Sequence, residues 1–556
     1  MKFIKWIIAI PLYLFTPVVF GQTYYVATSG SDMTGDGSAQ HPWASITYAL
    51  DQVSDGSLIL VKPGLYTGRV RMRGSFTAGV EVRSELPYQA QMRHNQPVFT
   101  FYEDARGCHG ITLSGFDIAH SGSGAGALVV HIEGGGNGSV YDISVVNNVI
   151  HDSYNNDLLK INNSCHDIMV KGNMFYNQNG SDEHIDINSV NQVRVTENIF
   201  FNDFSGSGRT NANNTSSFIV IKDSNGSEDM YEGAQNINVD KNIFLNWEGS
   251  SGSNFILCGE DGQSFYEAVD VMIENNLLLG NSGNVMRAAF GSKGCKDIVF
   301  RNNTIAGDLP SLAYAFRLNT EGANLPNDNI RFYNNIWSDQ TGSMGSSFGG
   351  ANDFSDTPSG ETSNWELDNN LYWNGSNPVP NDVSELINYT DDINRLVGDP
   401  LLPVTSGIII PRWVAGMLQF ADGSSSIKQV FNKLVADYAV PGPESVLKDA
   451  ANVSNAPTED ILGNARTNPD IGALEISFSC ASIEVNQWIG TTGDWHDSSS
   501  NWSLSRLPQA CDTVIIPAGA VVQVSAGNLA QAYTLEVAAN ATLDVDEMAI
   551  LEVKIP

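Results

Sequence analysis

Charged side chains recur inside a series of short apolar segments, and these residues are the ones best suited to chemistry. Lys160 lies in "NNDLLKINNS", Asp186 in "HIDIN" and Arg317 in "AFRLN", each beside residues typical of buried strands. A lysine near other charges can act as a base, an arginine can bind a carboxylate or sulfate, and carboxylate oxygens can bind Ca²⁺. This set of residue types indicates chemistry on an acidic substrate.

The alternation of residues along each segment decides which side chains share a face. If the segments form neighbouring strands, Lys160, Asp186 and Arg317 point outward at one position. Lys222 then lies two residues further along its strand, and His184 two residues back. Because adjacent strands lie about 4.8 Å apart, these side chains would form one charged strip. The core side of the same segments would hold Ile161, Ile187, Ile221, Cys258 and Leu318.

Three roles are predicted on the charged strip. The predicted catalytic residues are Lys222, Lys160 and His184. The predicted substrate-binding residues are Arg287, which shares the face if "VMRAAF" keeps its register, Arg317 and Asn188. The predicted Ca²⁺ ligands are Asp186, Glu260 and Asp261.

Lys222 is the preferred base because it lies between two inserted loops, residues 203–216 and 225–234. Its basic neighbours are expected to lower its pKa toward the working pH. Lys160 is the second choice, and His184 is an alternative acid or base. The opposing interpretation is a solvated face with cross-strand ion pairs, each of which contributes little to stability.

The element that would position these residues is a repeat, seen in "ISVVNNVI", "IMVKGNMF" and "VRVTENIF". Its marker asparagines Asn148, Asn173 and Asn198 are 25 residues apart, and later markers follow at wider spacing. Asparagine tolerates the left-handed backbone of a sharp bend, and its amide can hydrogen-bond to the next coil. Apolar spacing of two and many Val and Ile residues exclude a helical repeat. The sequence therefore predicts an all-β parallel solenoid over residues 22–478.

The ends of this solenoid carry a resemblance to a known fold. "PWASITYALDQV", residues 42–53, has helical apolar spacing and could cap the open first coil. Together with "GSLILVKPGLYTGRVRM" it resembles the N-terminal cap and first coil of right-handed parallel β-helix proteins, including polysaccharide lyases similar to chondroitinase B, alginate lyases and pectate lyases. "NPDIGALE", residues 468–475, resembles the closing strand of that fold. The resemblance implies a right-handed parallel β-helix and a carbohydrate substrate.

A different composition begins after residue 478, and a small β-rich module is predicted over residues 479–556. Its tryptophans Trp488, Trp495 and Trp502 are expected to form its core and less readily a sugar-binding platform. Cys480 and Cys511 are the favoured disulfide pair in this module. The other four cysteines lack metal-ligand spacing and are expected to be buried thiols.

The chain is expected to be secreted or attached to the cell surface. Residues 1–21 read as a signal peptide, and no later segment is apolar enough to span a bilayer. A net charge of −33 excludes nucleic acid and anionic membranes as expected partners. We expect a monomer that binds an acidic polysaccharide.

The function predicted from these residues is β-elimination on a polysaccharide containing uronic acid. The sugar carboxylate must be neutralised, a base must remove the neighbouring proton, and the glycosidic oxygen must leave. A glycoside hydrolase is the first alternative, with Asp186 paired with Asp157, Asp223 or Glu260. A non-catalytic protein that binds surface glycans is the second.

Overall fold

Three long sheets of parallel strands form the larger part of the molecule. The computed structural model describes residues 21–179, 182–210, 216–248, 254–280, 287–307, 314–344, 354–442, 444–476, 483–525, 528–546 and 549–553. From Leu58 to Asn319 the described chain passes through three sheets in the same order on each coil, and after Asn319 through two of them. Strands of one sheet pair with their neighbours one coil away. This is a parallel β-helix, as predicted. The predicted signal peptide lies outside the described residues except for Gly21.

The strands of the three sheets have the following bounds. Sheet A contains Thr23–Val26, Leu58–Val61, Gly74–Ser84, Cys108–Ser114, Val140–Val146, His166–Lys171, Asn191–Thr196, Ala234–Asp240, Ala268–Glu274, Lys296–Arg301, Asp328–Tyr333 and Trp365–Asp368. Sheet B contains Gly64–Thr67, Ala90–His94, Asp117–His120, Val149–His151, Met174–Tyr176, Ile199–Phe201, Ile243–Leu245, Leu277–Gly280, Thr304–Gly307, Ile336–Asp339, Leu371–Asn374 and Leu396–Val397. Sheet C contains Val70–Met72, Phe99–Tyr102, Val130–Glu133, Leu159–Asn162, Ile185–Asn188, Ile219–Lys222, Asn254–Cys258, Ala288–Lys293 and Tyr314–Asn319.

The core runs along the inside of the coils, because alternate residues of each strand point inward. All five predicted core residues of sheet C are fully buried: Ile161, Ile187, Ile221, Cys258 and Leu318. Cys108, Cys165, Cys258 and Cys295 are buried free thiols, as expected. Each coil therefore buries its apolar side chains against the coils before and after it.

The marker asparagines form an internal ladder at the corner between sheets A and B. The side-chain amide of Asn148 donates to Asn173 Oδ1 at 3.1 Å, and that of Asn173 donates to Asn198 Oδ1 at 3.0 Å. The predicted stacking is confirmed, but the left-handed backbone falls on the residue before each marker, for example Asn147 with φ 56° and Asn275 with φ 54°. The bend and the ladder thus use two different positions of the repeat.

A long segment, residues 399–475, packs along the outside of this corner, and we call it the strap. It contains the hairpin Trp413–Val414 and Gln419–Phe420 and the helix Ile427–Tyr438. Its backbone carbonyls accept hydrogen bonds from asparagines that precede the markers: Asn275 donates to Glu459 O and Asn302 to Asp470 O. In these two pairs the first asparagine therefore binds the strap, while the second belongs to the ladder.

A short helix, Ile46–Gln52, lies where the sequence predicts a cap. Ser45 accepts a hydrogen bond from the backbone N–H of Tyr48 and so caps its N-terminus. Ile46, Ala49 and Leu50 are buried in the core cluster of the coils. Its function as a lid remains a prediction. Within the described residues, neither α-helix is long and apolar enough to cross a bilayer.

The chain divides into two compact units between Glu475 and Ile476. The second unit also consists of parallel strands: Glu484–Gln487, Asp512–Ile516 and Thr534–Val537; Thr492–Asp494, Val521–Val524 and Thr542–Val545; Leu529–Ala532 and Ile550–Val553. Trp488, Trp495 and Trp502 are buried in its core, with ring centroids 4.9 to 5.0 Å apart for the two pairs that share Trp502. They are core residues, as the sequence favoured. Cys511 is disulfide-bonded, and its predicted partner Cys480 lies outside the described residues.

Candidate functional site

The charged strip lies on the outer face of sheet C, where the strand register brings most of its predicted members together. Lys160 pairs in register with Asp186, Asp186 with Val220, and further along the sheet Gly291 pairs with Arg317. Lys160, Asp186 and Arg317 therefore lie at equivalent positions of their strands, as predicted. Lys222 lies two residues further along its strand, next to Asn188, again as predicted.

Lys160 and Asp186 form a close ion pair. Lys160 Nζ donates to Asp186 Oδ2 at 2.5 Å, and the side chain of Asp186 is only 3% exposed. Burial alone would lower the pKa of Lys160, but Asp186 and Asp157 outweigh it and raise this pKa. Lys160 therefore carries a stable positive charge. The other oxygen of Asp186, Oδ1, is buried and has no hydrogen-bond partner among the residues that the structure describes.

Lys222 is bound by carboxylates, which corrects the expectation of basic neighbours. Its Nζ lies 2.6 Å from Glu260 Oε2 and 3.5 Å from Asp261 Oδ1. Burial favours the neutral amine, but Asp186, Glu260 and Glu183 outweigh it and raise the pKa of Lys222 above its ordinary value. A neutral Lys222 consequently requires that some of these negative charges be offset.

Three carboxylates meet just before the sheet C strands that carry Lys160 and Asp186. One oxygen from each of Asp157, Asp182 and Glu183 lies within 4.8 Å of the others. We call these three residues the acidic cluster. Burial and Asp186 raise the pKa of Asp157 to about 7, and burial and Asp157 raise that of Glu183 well above its usual range. The cluster concentrates negative charge that a cation would neutralise.

The acidic cluster differs from the predicted metal ligands. In the described parts of the chain, the predicted set of Asp186, Glu260 and Asp261 does not form such a group, because Glu260 and Asp261 contact Lys222. The sequence does contain a signal for the cluster. Asp157 and Glu183 each lie two residues before a sheet C strand, so the register of those strands places them side by side.

His184 is not on the strip, which corrects its predicted catalytic position. Its side chain is fully buried, with its ring centroid 4.6 Å from that of Phe218 and 6.0 Å from that of Phe200. Its Nε2 is hydrogen-bonded to Asn202 Oδ1 at 3.1 Å, and burial lowers its pKa to about 3. The strand begins only at Ile185, so the alternation does not extend back to His184.

The predicted substrate-binding residues all have protein partners. Arg317 Nε donates to Asp356 Oδ2 at 2.7 Å, and a terminal nitrogen of Arg287 lies 3.8 Å from the same oxygen. Asn188 donates to Ser224 Oγ at 2.6 Å and accepts from the backbone N–H of Ser224 at 3.1 Å. The two arginines thus lie together, while Asn188 stabilises the turn after Lys222.

Taken together, a largely buried acidic cluster lies just before the sheet C strands, and Lys160 and Lys222 are among its electrostatic neighbours. Such a site can bind a hard divalent cation through carboxylate oxygens. Glu183 belongs to the acidic cluster and Asp186 acts on it, and both also act on the Lys222 amine. The site can therefore also hold an amine beside a cation-bound acidic group. A cation site and an adjacent base are the elements of proton abstraction next to a carboxylate.

Comparisons with known proteins give distant likenesses only. No protein-family model and no curated protein matches the chain. Among solved structures, pectate lyase Pel9A is 16% identical over 83% of this chain and 98% of its own, with a TM-score of 0.45. XylC in complex with xylose is 12% identical over 82% and 98%, with a TM-score of 0.41. The A-module of mannuronan C-5 epimerase AlgE4 from Azotobacter vinelandii is 13% identical over 64% and 94%, with a TM-score of 0.39. The assignment of the fold therefore rests on the strand pairing described above, and not on these comparisons.

Proposed function

We propose that this protein is a calcium-dependent polysaccharide lyase that cleaves a polysaccharide containing uronic acid by β-elimination. The observation that supports the proposal is the acidic cluster just before the sheet C strands, with Lys222 as an electrostatic neighbour of Glu183. Asp157 and Glu183 are buried and Asp182 is half-buried. A surface that only displays solvated ion pairs has no reason to gather these carboxylates, since their mutual repulsion and desolvation both cost free energy.

The residues present fit calcium. Ca²⁺ takes six to eight oxygen ligands, and the acidic cluster offers three carboxylates. A further oxygen is Asp186 Oδ1, which is buried and has no hydrogen-bond partner among the described residues. The charge of Asp186 acts on Asp157 of the cluster. Zinc prefers histidine and cysteine, and the histidine nearest in sequence, His184, points into the phenylalanine core. When bound, the cation would neutralise the sugar carboxylate and acidify the neighbouring C5 proton.

The chain's own residues would supply the proton transfer. Lys222 would remove the C5 proton once neutralisation of Asp186 and Glu183 takes away two of the charges that raise its pKa. Glu260, hydrogen-bonded to Lys222 Nζ at 2.6 Å, is the nearest acceptor for the proton that the resting ammonium must lose. Burial raises the pKa of Glu260 in spite of the opposing effect of Lys222, which suits a group that takes up a proton.

The alternatives weighed from the sequence lack these supports. Of the carboxylates named as hydrolase partners of Asp186, Asp223 is fully buried and accepts hydrogen bonds from Ser189 and three backbone N–H groups. Asp157 is buried within the acidic cluster, where its carboxylate lies against Asp182 and Glu183. The module tryptophans are core residues and offer no exposed stacking surface for a glycan-binding protein.

Incubation of the full chain with a panel of acidic polysaccharides tests the proposal. A lyase generates an unsaturated product that absorbs ultraviolet light, and a chelator should abolish this absorbance while added Ca²⁺ restores it. Reducing ends without absorbance would instead indicate a hydrolase. Retention of a polysaccharide without cleavage would indicate a binding protein, and either result would overturn the proposal.

A further inference from the structure

Glu267 is a buried carboxylate that contacts the backbone of one loop of the strip and organises it. It is fully buried, and its two oxygens accept four hydrogen bonds. Oε2 accepts from the backbone N–H groups of Glu260 at 2.8 Å and Asp261 at 2.9 Å. Oε1 accepts from the N–H of Gln263 at 3.1 Å and from the side chain of Asn324 at 2.9 Å.

These hydrogen bonds determine the shape of the loop that follows the strand Asn254–Cys258. Gly259 has φ 77°, and a Cβ there would lie 1.9 Å from the carbonyl oxygen of Lys293. The start of the loop therefore packs closely against the next coil. The backbone N–H groups that follow are hydrogen-bonded to Glu267. Asn324 joins it to the loop that precedes the sheet A strand Asp328–Tyr333.

The loop carries the two carboxylates that hold Lys222. Glu260 Oε2 lies 2.6 Å and Asp261 Oδ1 3.5 Å from Lys222 Nζ. Asp261 also accepts a hydrogen bond from Ser224 Oγ at 2.6 Å, which ties the loop to the turn after Lys222. The orientation of the Lys222 amine thus depends on backbone groups that Glu267 holds in place.

We propose that Glu267 is a positioning residue for Lys222 and acts through the loop of residues 259–263. The expected effect of Glu267 on catalysis rests on the proposed function. The effect of Glu267 on the orientation of Lys222 does not. In Glu267→Gln, one acceptor oxygen becomes an amide that faces two N–H donors. The loop must then shift, and Glu260 with it.

Asp460 in the strap provides a matched control. It is fully buried and also accepts four hydrogen bonds, from three backbone N–H groups and one asparagine side chain: those of Leu462, Asn464 and Glu475, and the amide of Asn464. Asp460→Asn therefore imposes a similar local cost without touching the loop of residues 259–263. Any loss that both variants share is structural.

Two measurements test the proposal in the full chain. For cleavage, Glu267→Gln should lower kcat by about tenfold to a hundredfold with little change in KM, because a small misplacement of a catalytic group affects the transition state most. Asp460→Asn should keep the wild-type kcat. The second measurement is the rate at which an amine-acylating reagent modifies Lys222, followed by mass spectrometry, and this rate should rise severalfold in Glu267→Gln alone.

The outcomes separate this proposal from the proposed function. If the wild type cleaves no polysaccharide but Glu267→Gln alone changes Lys222 labelling, the positioning role stands and the lyase assignment fails. If the wild type cleaves and Glu267→Gln matches it in both kcat and labelling, the positioning role is refuted. Equal losses in Glu267→Gln and Asp460→Asn would refute it as well.

Discussion

Replacement of Lys222 by methionine tests the base directly. Methionine keeps the unbranched shape of the side chain but removes the amine. General base catalysis typically contributes a factor of about 10² to 10⁴, or about 3 to 5 kcal/mol of transition-state stabilisation. We therefore expect kcat to fall by at least about a hundredfold. Initial rates of unsaturated product formation in saturating Ca²⁺ measure this loss.

Lys293→Met is the matched control for this variant. Lys293 lies in the same sheet, pairs with Glu321 at 2.7 Å and is 17% exposed, against 2.6 Å to Glu260 and 12% for Lys222. Asp186 and Glu183 also act on Lys222, so Lys222→Met should lose more free energy of unfolding than Lys293→Met, which has a single ion pair among the described residues, with Glu321, to lose. Urea unfolding measures that quantity. The assignment of Lys222 is refuted if Lys222→Met keeps the wild-type turnover, or if Lys293→Met loses as much.

Three further predictions follow from other parts of the molecule. Ca²⁺ should raise the melting temperature of the wild type, since it binds the folded acidic cluster; zinc should not replace it, and Asp157→Asn should abolish the rise. Arg317→Ala should raise KM and leave kcat nearly unchanged, as expected for a contact with a flanking acidic sugar; a loss confined to kcat would contradict this. Burial opposes the charged ring of His151, but Asp117 and Asp152, at 2.7 and 2.8 Å, outweigh it and raise its pKa. This stabilisation is complete below the unfolded-state pKa of about 6.5 and is lost as the pH rises through the folded-state value, so the unfolding free energy should decline more steeply with pH above about 6.5 in the wild type than in His151→Gln.

The fold was predictable because its signals are local and repeated. Alternation with a period of two correctly placed Ile161 and Ile187 in the core and Lys160 outside. The ladder followed from the chemistry of asparagine at a fixed place in each coil. The strap was not predicted: residues 468–475 were expected to form a closing strand, but they lie in the strap and form no strand. The docking of the strap depends on carbonyl groups that meet the asparagines before the markers, and no periodicity marks those partners.

The site was only partly predictable because it depends on corners and loops. Alternation stops where a strand stops, so His184, one residue before its strand, turns into the core. The partners of Lys222 come from the loop of residues 259–263, whose shape depends on Glu267 and on a neighbouring coil. A count of basic residues on one face could not reveal that each one is paired with an acid.

That pairing bears on how a strongly acidic protein could bind an acidic polymer. Four of the ion pairs on sheet C are Lys160 with Asp186, Lys222 with Glu260, Lys293 with Glu321, and Arg317 with Asp356. These four cations are offset by carboxylates, and the acidic cluster adds further negative charge, so the face offers little net attraction to a polyanion. A cation held by the acidic cluster would reverse the local sign where the sugar carboxylate must lie. Lys160, a charge inside an apolar strand, then serves chiefly to hold Asp186 in place beside that cluster, since its Nζ takes one carboxylate oxygen and leaves Oδ1 without a hydrogen bond.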